Sequence, residues 1–193
     1  MDSKKISLII VLAAVSLVLN PRFSGFTVPS FFPGLWFQFW EIPVIAALLI
    51  MDLKSAVLIS LLDTAVLWVL YTGPGFNAPL FNFLALISTI IGVYLAPKLL
   101  SKTASKEIEI PKRKQMIFST ALGMLFRVLV MVPAVYLGTI FLRPILLGTT
   151  VPDAVIIGFL PTIALYDAVV ALYTIPLSYL VCNIIIKNLK FDV

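Results

Sequence analysis

The sequence has no histidine and a single cysteine, Cys182. Without histidine, the commonest metal ligand and the usual neutral-pH switch are both missing. One cysteine in a hydrophobic run excludes a disulfide framework. Charge is scarce as well: Asp, Glu, Lys and Arg make up 12% of the chain, about half the share of ordinary soluble domains. No glycine-rich loop ending in Lys-Ser/Thr occurs, which excludes nucleotide binding by that motif. HExxH, GxSxG and CxxC are absent, so an active site would rest on carboxylates and arginine alone. No metal or other cofactor is expected, and the chain does not read as an enzyme.

What is present is apolar. The chain is 61% hydrophobic, with a mean hydropathy of +1.12. A spanning helix needs about 20 largely apolar residues. Six such runs lie near residues 6–19, 34–52, 54–72, 79–99, 115–142 and 154–187. They predict one all-α membrane domain over 1–193, a six-helix bundle crossing the cell membrane repeatedly. The first run is short, about 21 Å by helical rise, and would borrow length from Asn20 or from Lys5 reaching to the interface. The apolar run after Lys5 looks like a signal peptide. However, Asn20-Pro21 stands where a small-x-small cleavage site belongs, so it reads as an uncleaved first span.

Lys and Arg set the expected orientation. Lys4, Lys5, Lys54, Lys98, Lys102, Lys106, Lys112, Arg113, Lys114, Lys187 and Lys190 fall on one side of the predicted spans. Only Arg22 and Arg143 fall on the other. Both termini are therefore expected in the cytoplasm. The net charge of +5 follows from this topology and requires no nucleic-acid partner. The basic link at 101–114 reads as a solvated connection near anionic lipid.

Four charged residues interrupt the apolar runs: Glu41, Asp63, Arg127 and Asp167. A charge facing lipid is costly, so each must face protein, water or a ligand. At about 1.5 Å per residue, Arg127 and Asp167 meet near the midplane, with Asp63 slightly below. Glu41 falls about 10 Å from the outer edge on the same scale. One arginine cannot neutralise three carboxylates, so at least one acid is protonated, hydrated or otherwise paired. A plainer alternative is an Arg127–Asp167 or Arg127–Asp63 pair that only ties helices together. For Glu41 it is the capping of amides freed by Pro43. Pro43, Pro133, Pro161 and Pro176 also fall within spans, where each removes one helical hydrogen bond.

The outer loops are aromatic and nearly uncharged. Residues 20–33 read NPRFSGFTVPSFFP. A loop of this length is usually functional or disordered, and its aromatic content argues against disorder. Residues 72–79 form a Gly/Pro-punctuated turn. Residues 143–153 form a third loop. Together they read as a cover over an outward-facing cavity, or else as short loops with aromatics at headgroup level. At the start of the fourth span, Asn77, Phe81 and Asn82 suit a polar-edged aromatic ligand; alternatively, Asn82 bonds a neighbouring helix. The first span carries small residues at Ala13, Ala14 and Ser16, where helices can approach closely.

Taken in order, these stretches resemble one family. Trp40-Glu41-Ile42-Pro43-Val44-Ile45-Ala46-Ala47, then Leu58-Ile59-Ser60-Leu61-Leu62-Asp63, look like the second and third spans of the substrate-binding (S) components of energy-coupling factor vitamin transporters. Phe81-Asn82-Phe83-Leu84-Ala85 resembles their fourth span. Leu125-Phe126-Arg127-Val128-Leu129-Val130-Met131 resembles their fifth, and Phe159-Leu160-Pro161 through Asp167 their sixth. The resemblance covers nearly the whole chain. It implies a subunit that captures a vitamin-like molecule from outside. Its partners would be a membrane coupling subunit and two cytoplasmic ATPase subunits.

The resemblance places the pocket at residues 31–36, 77–82, 149–153 and 166–167. The substrate-binding residues it implies are Phe31, Trp36, Glu41, Asn77, Phe81, Asn82, Asp153, Tyr166 and Asp167. It assigns Ala13, Ala14 and Ser16 to the coupling contact. Where family members carry Ala-x-x-x-Ala, this chain pairs Ala13 with Leu17 and Ala14 with Val18. Where riboflavin binders carry Asn-Tyr, it reads Ala134-Val135-Tyr136, and riboflavin stands as the first ligand to try. Two rival functions fit the composition. One is a six-span scaffold of cell-shape or cell-wall machinery. The other is an intramembrane lipid-acting enzyme using Asp63, Asp167 and Arg127.

Overall fold

A computed structural model describes residues 3–21, 27–31, 35–70, 78–103 and 112–189. The described residues are helical apart from short connections. In chain order the helices are α1 (Ser3–Leu19), α2 (Glu41–Ile50), α3 (Leu53–Leu70), α4 (Ala78–Thr103) and α5 (Lys112–Leu137). A π-helical turn, Gly138–Leu142, runs from α5 into the short α6 (Arg143–Leu147), and α7 covers Asp153–Leu189. Among the described residues, four stretches are long and apolar enough to cross a membrane: Leu53–Leu70, Pro79–Ser101, Lys112–Ile145 and Asp153–Asn188.

The polarity is inverted relative to a soluble domain. Large apolar side chains point outward along the helices, among them Ile10, Val69, Leu129 and Leu172. Glu41, Asp63, Arg127 and Asp167 are all buried. This is the distribution of a helix bundle in lipid, where the outer surface needs no polar groups and the backbone satisfies itself.

Two expectations about the elements fail. The second span is not a helix over 34–52. Residues 35–40 are non-helical, and α2 begins only at Glu41. At ten residues it is about 15 Å long, half the thickness of a hydrocarbon core. Pro43 therefore lies in the first turn of α2, where its missing N–H has no helical partner to lose. The third outer loop is also shorter than expected, since Arg143–Leu147 continues as helix. It ends at Gly148, whose φ of 62° lets the chain turn out of the helix, with its N–H donating to the Pro144 carbonyl at 3.0 Å.

Helix α2 is the hub of the bundle. Eight of its residues are buried, from Glu41 to Ile50, and it packs against α1, α3, α4 and α7. Around its Ile45, Ile59 of α3, Leu86 and Ile90 of α4 and Ile175 of α7 bring three further helices together. Helices α1 and α3 run parallel: Lys5 reaches Asp52 and Ser16 reaches Asp63, both across 47 residues. Helices α4 and α5 cross at Gly92 and Gly123. A methyl group on Gly92 would stand 2.6 Å from the Gly123 Cα and 2.7 Å from the Leu122 carbonyl oxygen. Small residues at such a crossing let two backbones touch.

The Lys5–Asp52 pair closes one end of the bundle. Asp52 also accepts from the Ser55 amide at 2.8 Å and the Ser55 hydroxyl at 2.9 Å, capping α3. The Lys5 ammonium and the Ser55 donors hold the Asp52 carboxyl down at about 2. A depressed folded-state value means that this stabilisation is complete above the unfolded value of 3.8 and is lost as pH falls from about 4 toward 2. Wild-type thermal stability is expected to drop through that window. Asp52→Asn should remove this contribution to the drop, a comparison measurable by melting both chains across the pH series.

Candidate functional site

Residues 27–31 and 35–40 build one wall of the site. Residues 28–30 and 35–37 lie antiparallel as a narrow hairpin: Phe37 N–H donates to the Val28 carbonyl at 2.9 Å and Ser30 N–H to the Leu35 carbonyl at 3.0 Å. Pro29 and Trp36 form an isolated antiparallel bridge. The chain then runs inward to Trp40, which is buried. Irregular backbone inside a membrane bundle persists only where protein or water answers its polar groups. Here two tyrosines of α7 do so. The Tyr166 hydroxyl donates to the Trp36 carbonyl at 2.7 Å. The Tyr173 hydroxyl accepts from the Gln38 amide N–H at 2.6 Å. Seven residues apart, Tyr166 and Tyr173 lie on one face of α7.

Side chains complete this fastening. Gln38 Nε2 donates to the Tyr166 hydroxyl at 2.9 Å, while Gln38 Oε1 accepts from the Trp40 indole. Phe37 and Phe39 stack with ring centroids 5.9 Å apart, and Tyr173 packs against both at 5.6 and 5.7 Å. Phe31 meets Phe37 edge-on at 5.8 Å. Such contacts add about 0.5–1.5 kcal/mol each beyond the area they bury.

The four interior charges divide differently from expectation. Arg127 grips Glu41 with two nitrogens, Nη1 to Oε2 at 2.6 Å and Nη2 to Oε1 at 3.0 Å. Its Nε donates to Asp167 Oδ1 at 2.8 Å. Nη1 also reaches the Thr89 hydroxyl at 3.3 Å, and that hydroxyl donates to the Ala85 carbonyl. Asp63 stays out of this cluster. Glu41 joins it because α2 starts seven residues later than the expected position 34, which lowers Glu41 to the level of Arg127. At the first turn of α2, Glu41 also faces the positive end of that helix's dipole. The planar guanidinium fork suits two carboxylates better than an ammonium would.

Asp63 instead meets Ser16 of α1. Ser16 and Ala13 are buried in the bundle, and only Ala14 of the expected coupling trio is exposed. Two of those three residues are thus unavailable to another subunit, because α1 turns that stripe toward α2 and α3.

The expected ligand contacts are scattered unevenly. Glu41 and Asp167 are both bonded to Arg127. Asp153 is exposed in the first turn of α7, and Asn77 lies outside the described residues. Phe31 is exposed, Trp36 stands at the hairpin bridge and Tyr166 fastens it. Asn82 is half-buried and has no hydrogen-bond partner among the described residues, so it does not tie helices together. Phe81 packs on Gly138, where a Cβ would collide with its ring. The π turn starts there, and such turns often accompany functional sites.

No protein family, curated protein or solved structure matches this chain. The site therefore stands on its own geometry.

Sequence reasoning missed Gln38, Tyr173 and Thr89. Gln38 is the lone amide in the aromatic run Phe37-Gln38-Phe39-Trp40, and Tyr173 repeats Tyr166 at a spacing of seven. Both signals were present. Thr89 carried none, since hydroxyl residues in spans commonly bond their own helix, as Thr89 also does.

Proposed function

We propose that the chain is a membrane substrate-binding subunit, the S component of an energy-coupling factor type transporter. It captures a vitamin-like small molecule at the face bearing the hairpin. In this proposal that face is exterior, and the basic ends of α1, α4 and α5 face the cytoplasm. A membrane coupling subunit and two ATPase subunits supply the transport step. The observation that carries this reading is the aromatic hairpin of residues 28–31 and 35–37 with the inward segment 37–40, fastened to α7 through Tyr166 and Tyr173. Holding the non-helical residues 27–31 and 35–40 against a bundle is costly in backbone entropy, and a ligand cover is a function that warrants it.

The polar contacts proposed for the ligand are Asn82 and the lone pair that the Trp40 indole leaves on Gln38 Oε1, with Trp36 and Phe81 supplying apolar surface. Arg127, Glu41 and Asp167 serve as a rigid floor. A few placed polar groups within an apolar lining are what a small-molecule site needs.

A thermal-shift screen of the purified chain against B vitamins, riboflavin first, tests this. A compound at 100 times its dissociation constant should stabilise the fold by about 2.7 kcal/mol. The reading is abandoned should no vitamin-sized compound raise the melting temperature.

The closed Arg127–Glu41–Asp167 cluster favours a second reading, a structural scaffold whose charges only fix packing. A scaffold would show no ligand shift and would tolerate Asn82→Ala without functional loss.

A further inference from the structure

Asp63 is 1% exposed, and its position raises a question of proton count. The Ser16 hydroxyl lies within hydrogen-bond reach of Asp63 Oδ2 and, at 2.8 Å, of the Trp40 carbonyl oxygen. A carbonyl only accepts, and an ionised carboxylate only accepts. Ser16 has one proton and cannot donate to both. Asp63 Oδ1, also buried, has no partner among the described residues. An ionised carboxylate here would have an unanswered oxygen and a contested donor in a low-dielectric interior, an arrangement of high free energy.

One proton resolves the conflict. We propose that Asp63 is a built proton-binding site: the neutral carboxyl donates from Oδ2 to Ser16 Oγ, and Ser16 donates in turn to the Trp40 carbonyl. Every close contact then has one donor and one acceptor. The relay joins α3, α1 and the point where the inward segment 37–40 enters α2. Trp40 is the residue whose indole holds Gln38, so the proton supports the fastening of residues 36–40. The described groups that face Asp63 are Ser16 from α1 and the Trp40 carbonyl. Arg127 is engaged by Glu41 and Asp167. Along these helices the other charges are distant: Lys54 lies nine residues before Asp63 on α3, about 13 Å away, and the Lys5–Asp52 pair eleven residues away, about 16 Å. The proposal holds whether or not the chain transports a vitamin.

Infrared difference spectra of the full chain in lipid nanodiscs, wild type against Asp63→Asn, test it. At neutral pH the wild type should show a carboxylic-acid C=O band that Asp63→Asn removes. Asparagine keeps a donor toward Ser16, so Asp63→Asn should melt within a few degrees of wild type, whereas Asp63→Ala should melt far lower. Ser16→Ala keeps the acid and should shift that band. Four results would overturn the proposal: no removable acid band, an Asp63→Asn chain that fails to fold, an Asp63→Asn chain that melts as low as Asp63→Ala, or sodium-specific stabilisation of the wild type that Asp63→Asn abolishes. The last would make the site a cation site instead.

Discussion

Replacing Arg127 by alanine is expected to cost about 3–5 kcal/mol, the largest single loss in the molecule. Glu41 and Asp167 are each buried against its guanidinium, at 2.6 and 2.8 Å. Removing the cation leaves two carboxylates facing each other with no compensating charge. Arg127→Lys should recover little, because one ammonium cannot reproduce a two-pronged grip on Glu41 together with a bond to Asp167. The triple variant Arg127→Met, Glu41→Gln, Asp167→Asn should be far more stable than Arg127→Ala, since the penalty lies in the orphaned charges rather than in the loss of the pair. Reversible denaturation in mild detergent measures all three. A triple variant as unstable as Arg127→Ala would contradict this explanation.

Gly92→Ala should be the second most damaging change, at about 1–3 kcal/mol by overpacking, despite the better helix propensity of alanine. Its Cβ would meet backbone atoms of α5, which cannot rotate away. The comparison is Gly123→Ala. A methyl there meets the Ile175 Cδ1 at 2.6 Å and the Val93 Cγ2 at 3.2 Å, both ends of side chains that can repack. Gly92→Ala should therefore melt below Gly123→Ala. The opposite order would show that α4 and α5 can separate there at little cost.

Much of the bundle was legible in the sequence because membrane helices declare themselves by length and hydropathy. The expected runs at 54–72, 79–99 and 154–187 match α3, α4 and α7 to within a few residues, apart from residues 71 and 72, which lie outside the described part. The run at 34–52 misled because Trp36, Phe37, Phe39 and Trp40 are as apolar as a helix requires. What keeps them out of a helix is a pair of tyrosine hydroxyls about 130 residues away in the chain, and no local window contains that information. The same shift explains the charge cluster. Depth counted from position 34 placed Glu41 too shallow, so its grip by Arg127 went unseen. The pairing of Arg127 with Asp167 was legible, since both counts reached the midplane. Ser16 was noticed only as a small residue, although its hydroxyl meets the Asp63 carboxyl.

The contrast between the two polar layers bears on function. Arg127 bonds both Glu41 and Asp167, so the floor is held together by its own ion pairs. Above it, Asn82 has no partner among the described residues, and the cover is held largely by hydrogen bonds from side chains. A ligand that bonded Asn82 and lay beneath Trp36 would complete the polar layer without disturbing the floor.

Equilibrium binding of radiolabelled vitamins, riboflavin among them, to the chain in sealed vesicles of known orientation tests this most directly. Saturable capture is expected only from the face bearing residues 28–31, displaced by unlabelled compound and weakened by Asn82→Ala. No saturable binding from either face, with a correctly folded chain, would contradict it.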